Sequence, residues 1–395
     1  MSALLMCMQM CMQMPVLRRR EKGYNDKETQ TKKKDGHNDM VDFGGRRRRT
    51  GASLPVRAAV LRAPEGFLAG GVKNKVVLSW EPVKRADCYE IWEKEETEGT
   101  GTWKRVRRTA KRKVVLKRKN RGGRYCYKVR ACGGPGSRLR GKYSKKQRVS
   151  LAKKGESTLG NFLNIALAPV GSTMYIWGGG WNRADTGAGA DGRRIGLNPG
   201  WRAFAGRQKS SYDYRSHRYQ RGRGLDCSGF VGWVVYNTFH TKNGKEGDGY
   251  VRKSSEQAKF FEAKGWGRWK PAFAVTDYRP GDIMSGPGHV YIVLGQCEDG
   301  SIVLVHSSPA GVQVCGTVTP SGNASSEAVR LAGNYMKKHH PFWHKRFPDC
   351  SRDSSYLNRY SQFRWNVGPG EKLEDVDGLA EKGAADVLKK IGKAP

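Results

Sequence analysis

The spacing of hydrophobic and polar positions changes twice along the 395-residue chain and divides it into three parts. The first part, residues 1–55, has few apolar side chains after a Met-rich start and contains the basic runs 32–34 and 46–49. A segment with so few apolar residues cannot bury enough surface to offset the entropy lost on folding. The sequence therefore predicts a disordered basic arm over residues 1–55.

The second part, residues 56–151, consists of short runs that alternate apolar and basic side chains. The runs KVVLSWEPV, CYEIWEK, KVVLKRK and RYCYKVRAC each place apolar residues on one face and charged residues on the other, as strands with one buried face do. Several such strands separated by turns are typical of an all-β sandwich. The apolar faces predict a core of six residues: Trp80, Tyr89, Ile91, Tyr125, Tyr127 and Val129. The order of LSW, YEIW and YCYKVRA resembles that of a fibronectin type III domain.

Three cysteines of this segment, Cys88, Cys126 and Cys132, point away from the predicted core. A bridge between Cys88 and Cys126 is one alternative, and unpaired thiols are the favoured interpretation, because connectivity cannot be read from sequence. The whole chain has nine cysteines, so at least one of them stays unpaired within a monomer.

The third part, residues 155–395, has a pattern in which helical spacing precedes strand alternation. The runs STLGNFLNIALAPVGS and LDCSGFVGWVVYNTF carry apolar residues at helical intervals, whereas GDIMSGPGHVYIVLG and SIVLVHSSPAGVQVCG alternate with a period of two. This order predicts an α+β domain, with an antiparallel sheet on one side of the second helix. A Gly- and Arg-rich insertion, 181–224, precedes that helix, and an aromatic-rich extension, 325–395, ends the domain. Long loops in compact domains are usually functional or disordered, so one role for the insertion is to wall a cleft.

A formal charge of +37 points to an anionic partner. Nucleic acid, an anionic cell-wall polymer and an acidic membrane surface would each satisfy this charge, and a well-solvated basic surface is the alternative. No apolar run is long enough to span a bilayer. The Met-rich start places its basic cluster, 18–20, after its apolar part, which reverses the order of a secretory signal. The sequence therefore predicts no signal peptide.

Candidate chemistry is concentrated in LDCSGFVGWVVYNTF, residues 225–239, where Cys227 stands between a carboxylate and a hydroxyl. The helical spacing of the following apolar residues places Cys227 in the first turn of a buried helix. There the free backbone N–H groups and the helix dipole favour thiolate over thiol, which makes Cys227 a candidate nucleophile. The alternative is a small buried apolar residue, which is how most free cysteines behave.

A cysteine nucleophile needs a base within hydrogen-bond reach and a polar group that orients that base. His289 begins the predicted strand HVYIVLG, His306 ends the strand IVLVH, and the turn 298–300 joins the two strands. Residues nearly equidistant from a hairpin turn face one another, so the two imidazoles are predicted to lie side by side. With the helix of Cys227 packed on this sheet, His289 is the predicted base and His306 the orienting group.

Three motifs, DCSGFVGWVVY, GDIMSGPGHVYIVLG and VLVHSS, follow one another within residues 175–316. Their identity and order resemble those of the NlpC and p-sixty family of papain-like cysteine peptidases. The resemblance implies a papain-like catalytic domain in which Cys227 is the nucleophile, His289 the general base and His306 the third, polar member.

The same resemblance implies three substrate-binding residues: Asp226, Ser228 and Tyr175. Asp226 and Ser228 match positions that bind the free amino end of a stem peptide, and Tyr175 in YIWGGG matches a Tyr-x-x-Gly motif that lines the same cleft. A carboxylate or hydroxyl beside a helix start is just as often a cap. Capping is therefore the alternative role for the residues that flank Cys227.

The reaction that the resemblance implies is cleavage of bacterial peptidoglycan, at the bond from the γ-carboxyl of D-glutamate to a diamino acid, with no metal or cofactor. The implied setting is extracellular or wall-associated, with the basic surface held on anionic wall polymers. A Cys/His-type N-acetylmuramoyl-alanine amidase is a second hypothesis. A third is a non-catalytic wall or nucleic-acid binder, favoured by Trp and Tyr interleaved among Arg.

Overall fold

The computed structural model describes residues 60–96, 99, 101–240 and 245–391. The predicted basic arm over residues 1–55 lies outside the described residues. Within the described ranges, no helix is long and apolar enough to cross a membrane.

The alternating segment folds into two antiparallel sheets. Its strands are β1 Leu68–Val72, β2 Lys75–Ser79, β3 Cys88–Glu95, β4 Lys104–Thr109, β5 Lys113–Leu116, β6 Arg124–Gly133, β7 Leu139–Tyr143 and β8 Gln147–Ser150. One sheet has the order β1-β2-β5 and the other the order β4-β3-β6-β7, with β8 also paired to β6. All six predicted core residues are buried together in one cluster. The predicted antiparallel sandwich is confirmed.

The three sandwich cysteines lie outside this core cluster but are covered by neighbouring side chains. All three are buried and free, and the Nε atom of Arg108 donates to the sulfur of Cys88 over 3.2 Å. The strand register places Cys88 opposite Cys132 and Cys126 opposite Lys94. The alternative of a Cys88–Cys126 bridge is therefore wrong, because the two residues lie at opposite ends of the ladder.

The third part of the chain contains seven helices and eleven strands among the described residues. The helices are α1 Leu159–Leu167, α2 Pro199–Ala205, α3 Cys227–Phe239, α4 Gln257–Glu262, α5 Glu327–His339, α6 Pro341–Arg346 and α7 Ala384–Ile391. The strands are β9 Ser157–Thr158, β10 Met174–Tyr175, β11 Gly224–Leu225, β12 Gly267–Lys270, β13 Ile283–Gly286, β14 His289–Gln296, β15 Ile302–Ser308, β16 Gly311–Thr317, β17 Ser351–Arg352, β18 Ser361–Trp365 and β19 Leu373–Glu374.

A nine-stranded sheet forms the centre of this part, in the order β11-β10-β16-β15-β14-β13-β18-β12, with β17 also paired to β16. The predicted strands β13 to β16 form an antiparallel meander. The expectation of a purely antiparallel sheet is wrong, because β10 pairs with β11 and β16 with β17 in parallel. Parallel neighbours need a long crossover, and the insertion 181–224 supplies it between β10 and β11.

The buried helix α3 lies between this sheet and α1. All thirteen residues of α3 are buried, and α3 contacts α1, β14 and β15. Eight of the nine residues of α1 are also buried, because α1 packs against α3 and against β1 and β8 of the sandwich, and β1 contacts α3 as well. The sandwich thus completes the core that positions α3.

Polar contacts also join the sandwich to the α+β part. The Ser157 hydroxyl donates to the Gly71 carbonyl over 2.7 Å, and the Asn161 amide donates to the Ser150 carbonyl over 2.7 Å. These partners are buried or nearly so, where an unmade hydrogen bond is costly. The two parts therefore share one continuous packed boundary.

Candidate active site

The first turn of α3 rests directly on a glycine run. Asp226 caps the helix, since its carboxylate accepts the Gly229 N–H over 2.6 Å, and its own N–H donates to the Gly179 carbonyl over 2.9 Å. A Cβ atom at Gly229 would lie 2.0 Å from the Gly179 oxygen. The glycines of DCSGF and YIWGGG therefore permit the close approach that fixes the position of Cys227.

Cys227 is the first residue of α3, as predicted, and its thiol lies beside the start of β14. The backbone N–H groups of Val290, Ser228 and Cys227 itself lower the pKa of this thiol. Burial outweighs them, and together with the charge of Asp226 it raises the pKa of Cys227 to about 12. The expectation of a resting thiolate is wrong, because burial removes the water that stabilises a charged sulfur.

The hairpin of β14 and β15 brings the two predicted histidines together. The Nε2 atom of His289 lies 2.9 Å from the Nδ1 atom of His306, and the ring planes cross at 78°. Because this contact occupies Nε2, the Nδ1 atom of His289 is the nitrogen left for another partner. The predicted pairing of the imidazoles is confirmed.

The thiol and the imidazole pair share the same end of β14. The residue after His289, Val290, directs its backbone N–H to the sulfur of Cys227. Val290 and Val305 pack in the core that contains α3. His306 lies two residues after Leu304 and so on the same face of the sheet. Leu304 belongs to a cluster on the face opposite to that core. The Cys227 sulfur therefore lies at the end of the strand that begins with His289.

Both imidazoles are uncharged at neutral pH. Burial, together with the nearby Arg352 guanidinium, lowers the pKa of His289 to about 3. Burial, Arg352 and the neighbouring His289 hold the pKa of His306 well below its usual range. A neutral His289 is ready to accept a proton, which is the state that a general base requires.

A second set of contacts fixes His306 at Nε2, the ring nitrogen that does not face His289. Its Nε2 atom lies 3.4 Å from the sulfur of Cys315, and the Gln313 amide donates to the same sulfur over 3.4 Å. The Trp343 indole N–H donates to the Gln313 oxygen over 3.1 Å and so fixes that amide. The sequence did not predict these residues. The available signal was that Gln313 and Cys315 lie two residues apart, and so on one face, in the strand that follows the third motif.

Asp226 and Ser228 bond to each other beside the thiol. The Ser228 hydroxyl donates to the Asp226 carboxylate over 3.0 Å and accepts the Trp181 indole N–H over 2.8 Å. The capping alternative for Asp226 is confirmed. Burial raises the pKa of Asp226 to about 7, so this carboxylate would gain from a cationic neighbour.

Tyr175 and the insertion form one wall of the site. Tyr175 ends β10, and burial, followed by the charges of Cys227 and Asp226, raises its pKa. The Tyr212 hydroxyl donates to the Tyr175 carbonyl over 2.6 Å, and the Tyr214 ring meets the Tyr175 ring edge-on at 5.3 Å. The insertion therefore packs on the predicted substrate-binding tyrosine.

The C-terminal extension forms an opposite, aromatic wall that carries no recognisable motif. The Tyr356 ring lies 5.7 Å from His289 and 6.0 Å from His306, and the Tyr360 ring lies 6.4 Å from His289. These tyrosines cover the imidazole pair in part, since His306 is fully buried and His289 is half-buried. Only the density of aromatic residues in the extension hinted at such a role.

Together these groups place a buried thiol, a neutral imidazole and a second imidazole that contacts the first at one end of β14. The backbone N–H groups of Cys227, Ser228 and Val290 are directed at the sulfur, where negative charge would develop. Such preorganised donors stabilise a developing anion more strongly away from water. The arrangement can support acyl transfer to and from a thiol.

No family model and no curated protein matches the chain. Among solved structures, it is similar to the twitchin kinase region from C. elegans, with 16% identity, a TM-score of 0.22, and coverage of 24% of this chain and 17% of that one. It is also similar to the fibronectin type III domain of human collagen alpha-1(XX), with 21% identity, a TM-score of 0.21, and coverage of 27% and 99%. A third is an Fn3-like protein from Clostridium thermocellum, with 17% identity, a TM-score of 0.21, and coverage of 24% and 97%. The match therefore spans only about a sixth of the twitchin chain.

Proposed function

We propose that this chain is a thiol-dependent hydrolase that cleaves peptide bonds in bacterial peptidoglycan. The observation that carries the proposal is the contact of His289 Nε2 with His306 Nδ1 at 2.9 Å, at the strand end where Val290 touches the Cys227 sulfur. A nucleophile, a base and an orienting group at one place are what acyl transfer requires.

The mechanism starts from a neutral thiol and a neutral imidazole. His289 Nδ1 takes the proton from Cys227 as the sulfur attacks the substrate carbonyl, and the imidazolium then protonates the leaving amine. A thioester on Cys227 remains, and water that His289 deprotonates hydrolyses it. His306 accepts the Nε2–H of His289 throughout, which keeps the reactive nitrogen directed at the thiol.

The carboxylate beside the thiol supports a substrate that carries a free amino group. Asp226 is a buried carboxylate whose pKa is raised to about 7, and a substrate ammonium group beside it would restore its charge. A stem peptide with a free amino end offers such a group. The motif resemblance adds the bond, from the γ-carboxyl of D-glutamate to a diamino acid, and a location at the cell wall.

Cleavage of a synthetic stem peptide that contains this bond tests the proposal. We expect Cys227→Ala to lower kcat by at least about a thousandfold, the usual scale for loss of a nucleophile. The matched control is Cys297→Ala, because Cys297 lies near Asp299 and Glu327 and away from the histidines. A Cys227→Ala variant as fast as the parent protein would remove Cys227 from the mechanism.

A further inference from the structure

The sandwich carries an unusual excess of positive charge. Residues 60–151 contain 26 Lys and Arg against 8 Asp and Glu. Much of this excess lies on the outer surface of the sheet that contains β3, β4, β6, β7 and β8, on the side away from the sandwich core. We call this surface the cation face and define it by six residues: Arg105, Lys128, Arg130, Arg140, Lys146 and Arg148.

Aromatic rings hold two of these cations in place. The Lys128 ammonium lies 4.1 Å from the Trp103 ring centre and 4.3 Å from that of Tyr143. The Arg130 guanidinium lies 4.9 Å from Tyr143 and 5.6 Å from Trp92. Contacts of this kind attract a cation to the face of a ring. They position the charges, and they also occupy ring surface that a stacking base or sugar would need.

A single buried carboxylate anchors the guanidinium groups of the same surface. Glu90 is fully buried and lies 2.9 Å from Arg105, 2.8 Å from Arg130 and 3.2 Å from Arg140. Three guanidinium groups share one carboxylate, so the cluster keeps a net positive charge. Arg105 is 50% exposed and directs one of its nitrogens to Glu90, so its other N–H donors can reach an external anion.

The remaining cations lie close together, since Lys146 is near Lys128 and both Lys146 and Arg148 are near Cys126. Burial, followed by the charges of Lys146 and Arg130, lowers the pKa of Lys128. Arg148 pairs with Glu96 over 3.0 Å, and the Arg148 side chain is 46% exposed. An anion bound here would relieve the repulsion between like charges, which is a gain that a solvated and well-spaced basic surface does not offer.

We propose that the cation face binds a linear polymer of phosphate groups, recognised by its charge and not by bases. The cations lie on β6, on the neighbouring strands β7 and β8, on β4 and directly before β8, so they present several positive charges to a chain of anions. The aromatic rings are already covered by Lys128 and Arg130, which argues against base stacking. This site is separate from Cys227, and it stands whether or not the chain is a hydrolase.

Binding of labelled inorganic polyphosphate to the full chain, measured by fluorescence anisotropy at several salt concentrations, tests this site. The probe variant is the triple substitution Lys128→Gln, Lys146→Gln and Arg148→Gln. We expect its affinity to fall at least about tenfold, and the slope of log K against log salt to fall by about two, since each lost contact removes roughly 0.7.

A matched triple variant removes the same charge elsewhere on the sandwich: Lys75→Gln, Lys84→Gln and Lys111→Gln. These three lysines are exposed and lie off the cation face, so we expect their loss to change the affinity less than about threefold, through long-range attraction alone. Equal losses in the two triple variants would overturn the proposal. Single-stranded RNA of the same phosphate number binding more than about tenfold tighter than polyphosphate would also overturn it, because bases would then be read.

Folding is checked by thermal unfolding of each variant. If loss of Lys128 from between Trp103 and Tyr143 unfolds the sandwich, the double variant Lys146→Gln and Arg148→Gln replaces the triple variant. We expect the slope of log K against log salt to be smaller in this double variant than in the parent protein by about 1.4. An unchanged slope in a folded double variant would contradict the site. Cys227→Ala is expected to bind polyphosphate as the parent does, which separates this site from the proposed catalysis.

Discussion

At the scale of single residues, the site is built from groups that burial keeps neutral. The thiol of Cys227 has its pKa raised to about 12, and the imidazole of His289 has its pKa lowered to about 3. A neutral pair avoids the cost of burying an ion pair before substrate arrives. In the proposed mechanism, charge separation takes place during the attack, when the N–H groups at the head of α3 can stabilise it.

The neutral base predicts an unusual pH dependence. His289 must be unprotonated to act as the base. Because its pKa is lowered, His289 stays unprotonated at pH values far below 6.5. We expect kcat, measured with saturating stem peptide so that the substrate ammonium keeps Asp226 charged, to remain nearly constant from pH 7 down to about pH 4, and then to fall as His289 becomes protonated. The measurement is a pH profile of stem-peptide cleavage. An acid limb centred near pH 6.5 would contradict a buried neutral imidazole.

The orienting role of His306 predicts a difference between two substitutions. His306→Ala leaves Nε2 of His289 without its partner, and we expect kcat to fall by roughly 10²–10⁴, the range for loss of properly directed acid–base catalysis. His306→Asn retains a hydrogen-bond acceptor and is expected to recover much of this loss, with KM unchanged in both variants. Steady-state kinetics measure both constants. Equal activity of the alanine and asparagine variants would show that His306 has only a packing role.

At the scale of elements, the decisive feature is how α3 begins. Asp226 caps α3, and the run 178–180 lies against its first turn, so two distant glycine motifs fix one cysteine. The helix, the four strands of the meander and the turn 298–300 follow from local periodicity and turn chemistry. Their placement in the structure agrees with those predictions, since residues that repeat at helical or strand spacing must share one buried face.

The close packing at Gly229 predicts a large effect of one added methyl group. A Cβ there would lie 2.0 Å from the Gly179 oxygen, so Gly229→Ala must displace the head of α3. We expect the free energy of unfolding to fall by about 1–3 kcal/mol, as in other overpacked sites, and activity to fall with it. The control is Gly333→Ala in α5, where no atom lies within 4 Å of the new Cβ.

The two glycine substitutions should change stability in opposite directions. Alanine in an open helical position is favoured by roughly 0.5–1 kcal/mol over glycine, so Gly333→Ala is expected to stabilise the protein slightly. Urea unfolding of both variants measures the difference. A Gly229→Ala variant as stable as Gly333→Ala would show that α3 does not depend on this contact.

Several contributors to the site could not be predicted, for a physical reason. Tyr356 and Cys315 reach the histidines through long-range packing of the extension and of β16, and local periodicity does not encode such pairings. The parallel pairing of β10 with β11 depends on the path of the insertion, which has no repeating pattern. Burial also reversed the expected pKa shift of Cys227, because a helix start lowers a thiol pKa only while water or a cation supports the charge.

At the scale of the whole molecule, two surfaces have separate tasks in this account. The sandwich covers α1 and so supports the core behind Cys227, while its outer sheet presents the cation face. The strong positive charge is therefore not evenly spread: Glu90 gathers three arginines on that face, and the imidazole site is lined by tyrosines. Attachment to a polyanion and hydrolysis of a peptide are thereby assigned to different parts of one compact unit.

Mass spectrometry of purified peptidoglycan, after digestion with the parent protein and with Cys227→Ala, tests the proposed hydrolysis. We expect stem peptides cut between D-glutamate and the diamino acid, released by the parent and not by the variant. Release of whole stems from the glycan would instead indicate an amidase. No cleavage by the folded parent protein would contradict hydrolysis and leave a binding function.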